Sequence, residues 1–371
     1  MAPWMHGVVG NPSGSHRAAR VARKAVEDAR DIVAQLTGTA PGNVVFTAGG
    51  TEACTLGVAG AVRAYHRNHG RAVVVHAPTE HHAVLDTVAM LTAQLPDTTA
   101  DAVAVDGDGI VDLDDVARAL RSDHVALVTI MAANNETGVL APIDAIATMT
   151  KAAGVLSHSD VVAAALWTDL ATLAPDIDML SLCGHKIGGP VNAGALILRS
   201  NVAVDALAPG GGQEKGRRGG TVDVAACVGL ATALSLAASE RTAVNARVIG
   251  FRDELAQALS HLDGCEVTAA SARRTPGTVH LTFRGIASDE LLFLLDQAGL
   301  YASAAASCSS GAVVSSHVLA AMGIAPERAR GSLRLSMGAE TTRADVEAAI
   351  AIITAAHQRL RGVSATGELA D

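Results

Sequence analysis

The 371-residue chain is 49% hydrophobic but only 2% aromatic, so its core is packed from alanine, valine and leucine, and its length suits two domains. A formal net charge of −9 argues against a nucleic-acid surface. No apolar run is expected to reach membrane-spanning length, and Met1–His6 lacks the basic-then-apolar pattern of a secretory signal.

Five cysteines (Cys54, Cys183, Cys227, Cys265 and Cys308) form no CxxC pair. Free thiols in a reducing compartment are expected, rather than a disulfide framework or a zinc site. A cytoplasmic enzyme without a metal is the expectation.

In chain order, residues 16–37 read as a helix rich in alanine and arginine, ended by Gly38. Val44–Phe46 is a strand, followed by Thr47-Ala-Gly-Gly-Thr-Glu-Ala53 and an apolar helix from Cys54 to about Tyr65. Strand, glycine-rich turn and helix offer backbone N–H groups to an anion, with Gly50 and Thr51 as the candidate groups. Such a turn is also an ordinary βα loop, and it is neither GxGxxG nor a Walker loop.

Ala72–His76 is the next strand, leading to His81 and His82. One of the two histidines is expected to face solvent, the other to stack on a planar ligand or move a proton. The turn within 101–115 precedes a buried strand at Val125–Met131, which ends in Asn134-Asn135-Glu136. The asparagines either fix a turn or hold a planar ligand. A helix runs to about Ala153, and Val155–Leu156 opens a strand that carries Asp160 just past its end. A lone carboxylate there is costly unless paired, and a pyridinium N–H is one partner that would justify it.

Met179–Leu182 is a short buried strand breaking into Gly184-His185-Lys186 and a Gly-Gly-Pro turn. A lysine at a buried strand end is either a structural cap or a desolvated amine able to form a Schiff base with pyridoxal phosphate (PLP). Thr51, His81, Asn135, Asp160 and Lys186 all follow strand ends. Alternating strands and helices imply an α/β fold with a mainly parallel sheet, in which those ends converge on one edge.

Gly194–Arg199 is a further strand, and 209–221 reads as a long mobile loop with three cations that offers Arg218 and Thr221 to an anion. Residues 222–262 are helical and bridge to a second domain, giving a large domain over 1–240 and a smaller C-terminal one over 241–371. In the latter, Thr278–Phe283 is a strand and Ser288–Ala298 a helix capped by Ser288 and ended by Gly299. Small residues over 301–311 surround Cys308, and Arg334 stands in an apolar strand where it calls for an anionic partner such as a substrate carboxylate.

Together these segments resemble the cysteine desulfurases of the IscS/NifS kind, within the class-V aminotransferase group of fold-type I PLP enzymes. The motifs are Gly10-Asn-Pro-Ser-Gly-Ser-His16, Phe46-Thr-Ala-Gly-Gly-Thr-Glu52, Thr79-Glu-His81, Asn134-Asn-Glu136, Gly184-His-Lys186, the loop ending at Thr221, and Ser307-Cys-Ser309. The resemblance implies that Lys186 binds PLP covalently, His81 stacks on the ring and moves protons, and Asp160 pairs with the ring nitrogen. It implies that Asn135 lies beside ring and substrate, and that Gly50, Thr51, Cys183 and His185 surround the phosphate. Thr221 would reach in from the partner of a homodimer, Arg334 would hold the substrate carboxylate, and Cys308 would take sulfur from L-cysteine as a persulfide, releasing alanine.

Three departures from the family pattern are expected to matter. The chain begins almost at Asn11, so a wall of the substrate site formed upstream in the family is missing or supplied otherwise. Ala163 stands where a glutamine bonds the cofactor hydroxyl, and Cys183 where a serine contacts phosphate, a thiol being the weaker donor. The leading expectation is a desulfurase passing sulfur to an acceptor protein, for iron–sulfur clusters, tRNA or a biosynthetic pathway. The alternatives are a PLP-dependent lyase or aminotransferase acting on another amino acid, and a catalytically weak homologue that mainly binds a partner.

Overall fold

The computed structural model describes residues 1–6, 10–199, 201–304 and 316–366, so Cys308 lies outside the described residues. The chain divides into two units. The first comprises Met1–Ala104, Val111–Ala133 and Ala141–Arg241; the second comprises Val105–Ile110, Asn134–Leu140 and Thr242–Asp371.

The first unit contains α1 (Ala2–Met5), α2 (Arg17–Leu36), β1 (Val44–Thr47), α3 (Gly50–His69), β2 (Ala72–His76), α4 (His82–Gln94) and β3 (Thr98–Ala102). It continues with α5 (Leu113–Ala119), β4 (Val125–Thr129), α6 (Ile143–Ala153), β5 (Leu156–Asp160), β6 (Met179–Cys183), β7 (Gly194–Leu198) and the first part of α7 (Val224–Ser260). The seven-stranded sheet has the order β1-β7-β6-β5-β4-β2-β3. Only β7 runs against the rest: it is antiparallel to both β1 and β6, and the remaining neighbours pair in parallel. The mainly parallel sheet expected from the sequence is therefore present, and the C-terminal ends of its other strands share one edge.

Every residue of β4, β6 and β7 is buried, which explains why these strands read as unbroken apolar runs: a sheet covered on both faces leaves no polar side. Helix α3 packs Ala53, Leu56, Val62 and neighbouring small residues onto Val45, Leu127, Met179 and Leu196. Its closeness to the sheet depends on Gly57, where an added Cβ would stand 3.2 Å from His158 Cδ2 and 3.0 Å from Leu196 Cδ1. The turn from β1 into α3 is held equally tightly on β7, since a Cβ at Gly194 would lie 2.5 Å from the carbonyl carbon of Gly49.

One expectation about the membrane needs correction. Helix α7 is long and apolar enough to span one, because residues 224–239 carry no charge. With 56% of its apolar window buried inside the protein, it is built as a core helix.

The second unit holds β8 (Cys265–Val267), β9 (Thr278–Phe283), α8 (Ser288–Gln297), α9 (His317–Ala321), α10 (Pro326–Ala329), β10 (Ser332–Ser336) and α11 (Arg343–Thr366). Its strands form an antiparallel sheet in the order β10-β9-β8. Phe251, Leu255, Leu281, Phe283, Leu333 and Ile353 make the main core. Ser288 does not cap α8 as expected. Ala287 occupies the cap position, and Ser288 Oγ instead lies 2.7 Å from the carbonyl oxygens of both Arg330 and Ser332, so the hydroxyl serves those acceptors rather than the helix N–H groups.

His280 on β9 is fully buried, with Nδ1 2.8 Å from Thr268 Oγ1. Burial, aided by the charge of Arg334, lowers its pKa from 6.5 to about 3, so the ring is neutral in the fold and gains a proton only on unfolding. That contribution is complete above pH 6.5 and is lost as pH falls towards 3. The wild type should therefore lose stability relative to His280→Gln by about 1.4 kcal/mol per pH unit across that window. Urea unfolding of both proteins at several pH values measures this, and parallel curves would contradict it.

Candidate active site

At the shared edge of the first unit, Asp160 closes β5 with its side chain buried. Its Oδ1 accepts the Val162 N–H at 2.8 Å. Burial raises its pKa, opposed by the Val162 N–H, the charge of His81, a hydrogen bond from the Cys54 thiol, and the charge of Lys186. Two residues from different strand ends, His81 and Lys186, thus act on one buried carboxylate.

His81 follows β2 and caps α4. Its Nδ1 accepts the Ala83 N–H at 3.0 Å, which leaves Nε2 as the nitrogen available for other work. Both adjacent histidines are exposed, and His82 bonds Asp86 at 3.4 Å rather than turning to the edge.

Cys183 ends β6, fully buried, with burial pushing its thiol up to about 11, and its Sγ lies 3.9 Å from His185 Nε2. The turn that follows is closed by Gly184 N–H donating to Ala193 O at 2.7 Å and Gly189 N–H donating to Gly184 O at 2.8 Å. His185 and Lys186 project from this turn and both are exposed. The expectation of a dry lysine is thus corrected: the strand is buried, but the turn carries Lys186 out of the sheet layer. Lys186 reaches Asp160 through its charge, and that same charge, after burial, lowers the pKa of His185.

Gly50 and Thr51 open α3, a 20-residue helix whose first turn has no side-chain cap, so its backbone N–H groups are left for an anion. Gly50 sits where an added Cβ would meet Val162 Cγ2 at 2.9 Å and Cys183 Cβ at 3.4 Å, which brings this helix start against the ends of β5 and β6.

The loop over 209–221 is not the mobile arm expected. Glu214 is buried and accepts from Arg30 Nη1 at 2.9 Å, Arg30 Nη2 at 2.8 Å and the Phe46 N–H at 2.9 Å. Arg218 Nε then pairs with Glu52 Oε1, in the first turn of α3, at 2.9 Å. Thr221 lines a cavity of about 360 Å³ with Arg218, Thr47, Ala48 and Gly194.

Asn135 and Arg334, the residues expected at the substrate, both belong to the second unit. Asn134 fixes its turn, its Oδ1 accepting the N–H groups of Glu136 at 2.9 Å and Thr137 at 3.0 Å. Arg334 Nη1 donates to the Asn135 carbonyl at 3.1 Å. Arg334 also forms a β-bridge to Ser303, and Ser316 Oγ bonds Glu136. The residues on either side of 305–315 are therefore tied to Arg334 and to the residue after Asn135.

The aminotransferase class-V family matches residues 2–349. An IscS-like cysteine desulfurase of Mycobacterium tuberculosis is 40% identical over 95% of this chain and 91% of its own. A cysteine desulfurase IscS of Methanosarcina thermophila is 36% identical over 98% of this chain and 89% of its own. A solved NifS-like protein superposes with a TM-score of 0.86 at 28% identity, covering 95% of this chain and 92% of its own. The chain belongs to the class-V aminotransferase family.

For a class-V aminotransferase the family implies PLP, and the residues of the first unit suit that group. Asp160 is a buried carboxylate able to accept an N–H from such a group, and Lys186 offers an exposed amine on the same edge. The uncapped start of α3 offers donors to a phosphate.

Sequence reasoning missed the groups behind this edge in the aminotransferase. Cys54 is fully buried and feels the charge of Asp160, which with burial raises its pKa, and Ser181 Oγ lies 2.9 Å from His158 Nε2. Period-two alternation already places His158 and Asp160 on one face of β5, but nothing in the apolar run of α3 marks which face Cys54 takes. Arg30 gave no signal either, because its partner Glu214 is remote in sequence. Replacing Glu214 by alanine strands the buried Arg30 guanidinium and should cost roughly 3–5 kcal/mol in urea unfolding. A loss below about 1 kcal/mol would fit an exposed pair and contradict this.

Proposed function

We propose that this class-V aminotransferase is a PLP-dependent cysteine desulfurase, converting L-cysteine to L-alanine and a persulfide on Cys308. The observation that carries the reading is the buried Asp160 carboxylate acted on by His81 and Lys186. A carboxylate held there has a use only if a cationic or N–H-bearing ligand joins it. Bound PLP supplies an aldehyde for amines and an electron-poor ring that stabilises negative charge at the substrate's Cα.

The chain's residues then take these roles. Lys186 Nζ would hold the cofactor through its amine and would serve as the base for the substrate's Cα proton. Asp160 would accept an N–H of the cofactor and so keep it electron-withdrawing. His81 would lie beside the cofactor, where its Nε2, free of the helix cap, would move protons. Gly50 and Thr51 donate backbone N–H groups to the phosphate, with His185 and Cys183 beside them. Thr221 serves the phosphate of the partner in a homodimer, and the Glu214–Arg30 anchor keeps its loop in one shape. Asn135 lies by the ring and substrate, and Arg334 pairs with the substrate carboxylate.

The Cys308 thiolate attacks the substrate sulfur. The S–S bond forms as the C–S bond breaks, and the carbon keeps the electron pair and takes a proton to become the methyl group of alanine. The persulfide then passes to a sulfur-acceptor protein, and the setting is cytoplasmic.

Incubation with L-cysteine and a reducing thiol should yield alanine and sulfide in equal amounts. Cys308→Ala should reduce both to background while its cofactor absorbance stays. Sulfide release by Cys308→Ala at the original rate would instead show a lyase, with Cys308 incidental.

A further inference from the structure

The turn that carries His81 leaves the sheet early. Strand β2 pairs in parallel with β4 as far as His76 opposite Thr129. After Ala77 the chain turns away, with the Glu80 N–H donating to the Ala77 carbonyl at 3.3 Å. The chain beyond β4, by contrast, stays against β5. The Ile130 N–H donates to the His158 carbonyl at 3.1 Å, and the Ala132 N–H to the Asp160 carbonyl at 2.9 Å.

Backbone N–H groups along an extended chain point alternately to its two neighbours. Those of Ile130 and Ala132 serve β5, so that of Met131 faces the side that β2 has left, where a buried N–H needs an acceptor. Glu80 supplies it. Its Oε1 accepts the Met131 N–H at 2.6 Å, with Met131 4% exposed and Glu80 fully buried. The side chain thus stands in the ladder where a next residue of β2 would have been.

One side chain therefore ties two strand ends together. His81 is the next residue after Glu80, and its Nδ1 is fixed by the Ala83 N–H at 3.0 Å. Asp160 is joined through its own carbonyl to Ala132, the next residue after Met131. Burial pushes the Glu80 carboxyl well above its usual range, against the Met131 hydrogen bond and helped by the charge of Asp160. A carboxyl kept neutral still offers a carbonyl oxygen to the Met131 N–H, as a glutamine amide does.

We infer that Glu80 is a positioning residue, which fixes His81 relative to Asp160 by clamping the turn after β2 onto Met131. This rests on the cofactor reading above. The test is the circular dichroism of the visible band of the protein as purified with PLP, per mole of bound cofactor. A flat chromophore acquires such a signal only from fixed, asymmetric surroundings. Glu80→Gln keeps an acceptor oxygen at the same reach and should retain the wild-type signal. Glu80→Met keeps the volume without the acceptor and should lose about half of the signal or more, because the supporting contact behind His81 is gone. His81→Asn keeps a cap on α4 but removes the imidazole, so it should lower the signal, and adding Glu80→Met should lower it no further. Should Glu80→Met fail to fold, Glu80→Asp takes its place. One methylene shorter, it must draw the turn towards Met131 and should lower the signal as well.

A wild-type signal in Glu80→Met, or in Glu80→Asp where that replaces it, would overturn the inference alone. So would a Glu80→Gln signal as low as theirs. A loss in the His81→Asn background as large as the loss in wild type would overturn it too, since it marks general loosening rather than action through His81. A wild type with no visible band would overturn the cofactor reading and this inference with it.

Discussion

A carboxylate buried at the end of β5 is the constraint on which this structure depends. An ionised Asp160 without compensation would be among the most expensive groups a fold could place there. The chain compensates it with a backbone N–H from Val162 and with the nearby His81 and Lys186. The compensation is incomplete, since burial still wins and the pKa stays raised. The remaining imbalance is what a ligand bearing an N–H would relieve.

Each unit carries its own share of the chemistry. In the first, one reversed strand among seven leaves the other strand ends on a common edge, and the small residues of α3 let its start approach the ends of β5 and β6. In the second, Arg334 does three things at once: its side chain bonds Asn135, its backbone bridges Ser303, and its charge helps keep His280 neutral. A substitution there disturbs more than one function, so a loss of activity in Arg334 variants does not by itself report on a substrate carboxylate.

Much of this was legible in the sequence. Apolar runs broken by Gly, Asn and His marked the strands and their ends, and a parallel sheet follows from alternating strands and helices. Asp160 was conspicuous because a carboxylate next to a buried strand demands a partner. Lys186 was legible as a residue but not in its surroundings, because sequence does not say how far a Gly-His-Lys turn rises from the sheet. The loop over 209–221 read as mobile from its glycines, yet one buried carboxylate among them anchors it on an arginine 184 positions away. Ser288 illustrates the limit of local rules: a serine at a helix start usually caps it, but here carbonyls from a distant turn claim the hydroxyl. Cys54 left no trace, because in an apolar helix buried along most of its length a thiol looks like one more small hydrophobe.

The claim that matters most is that the amine facing Asp160 is the one that binds the cofactor. Reduction of the purified protein with borohydride, followed by protease digestion and peptide mass spectrometry, addresses it directly. The account predicts a pyridoxyl phosphate adduct on the peptide containing Lys186, with Lys24, Lys151 and Lys215 unmodified. An adduct on one of those three lysines, or none on any peptide, would contradict it.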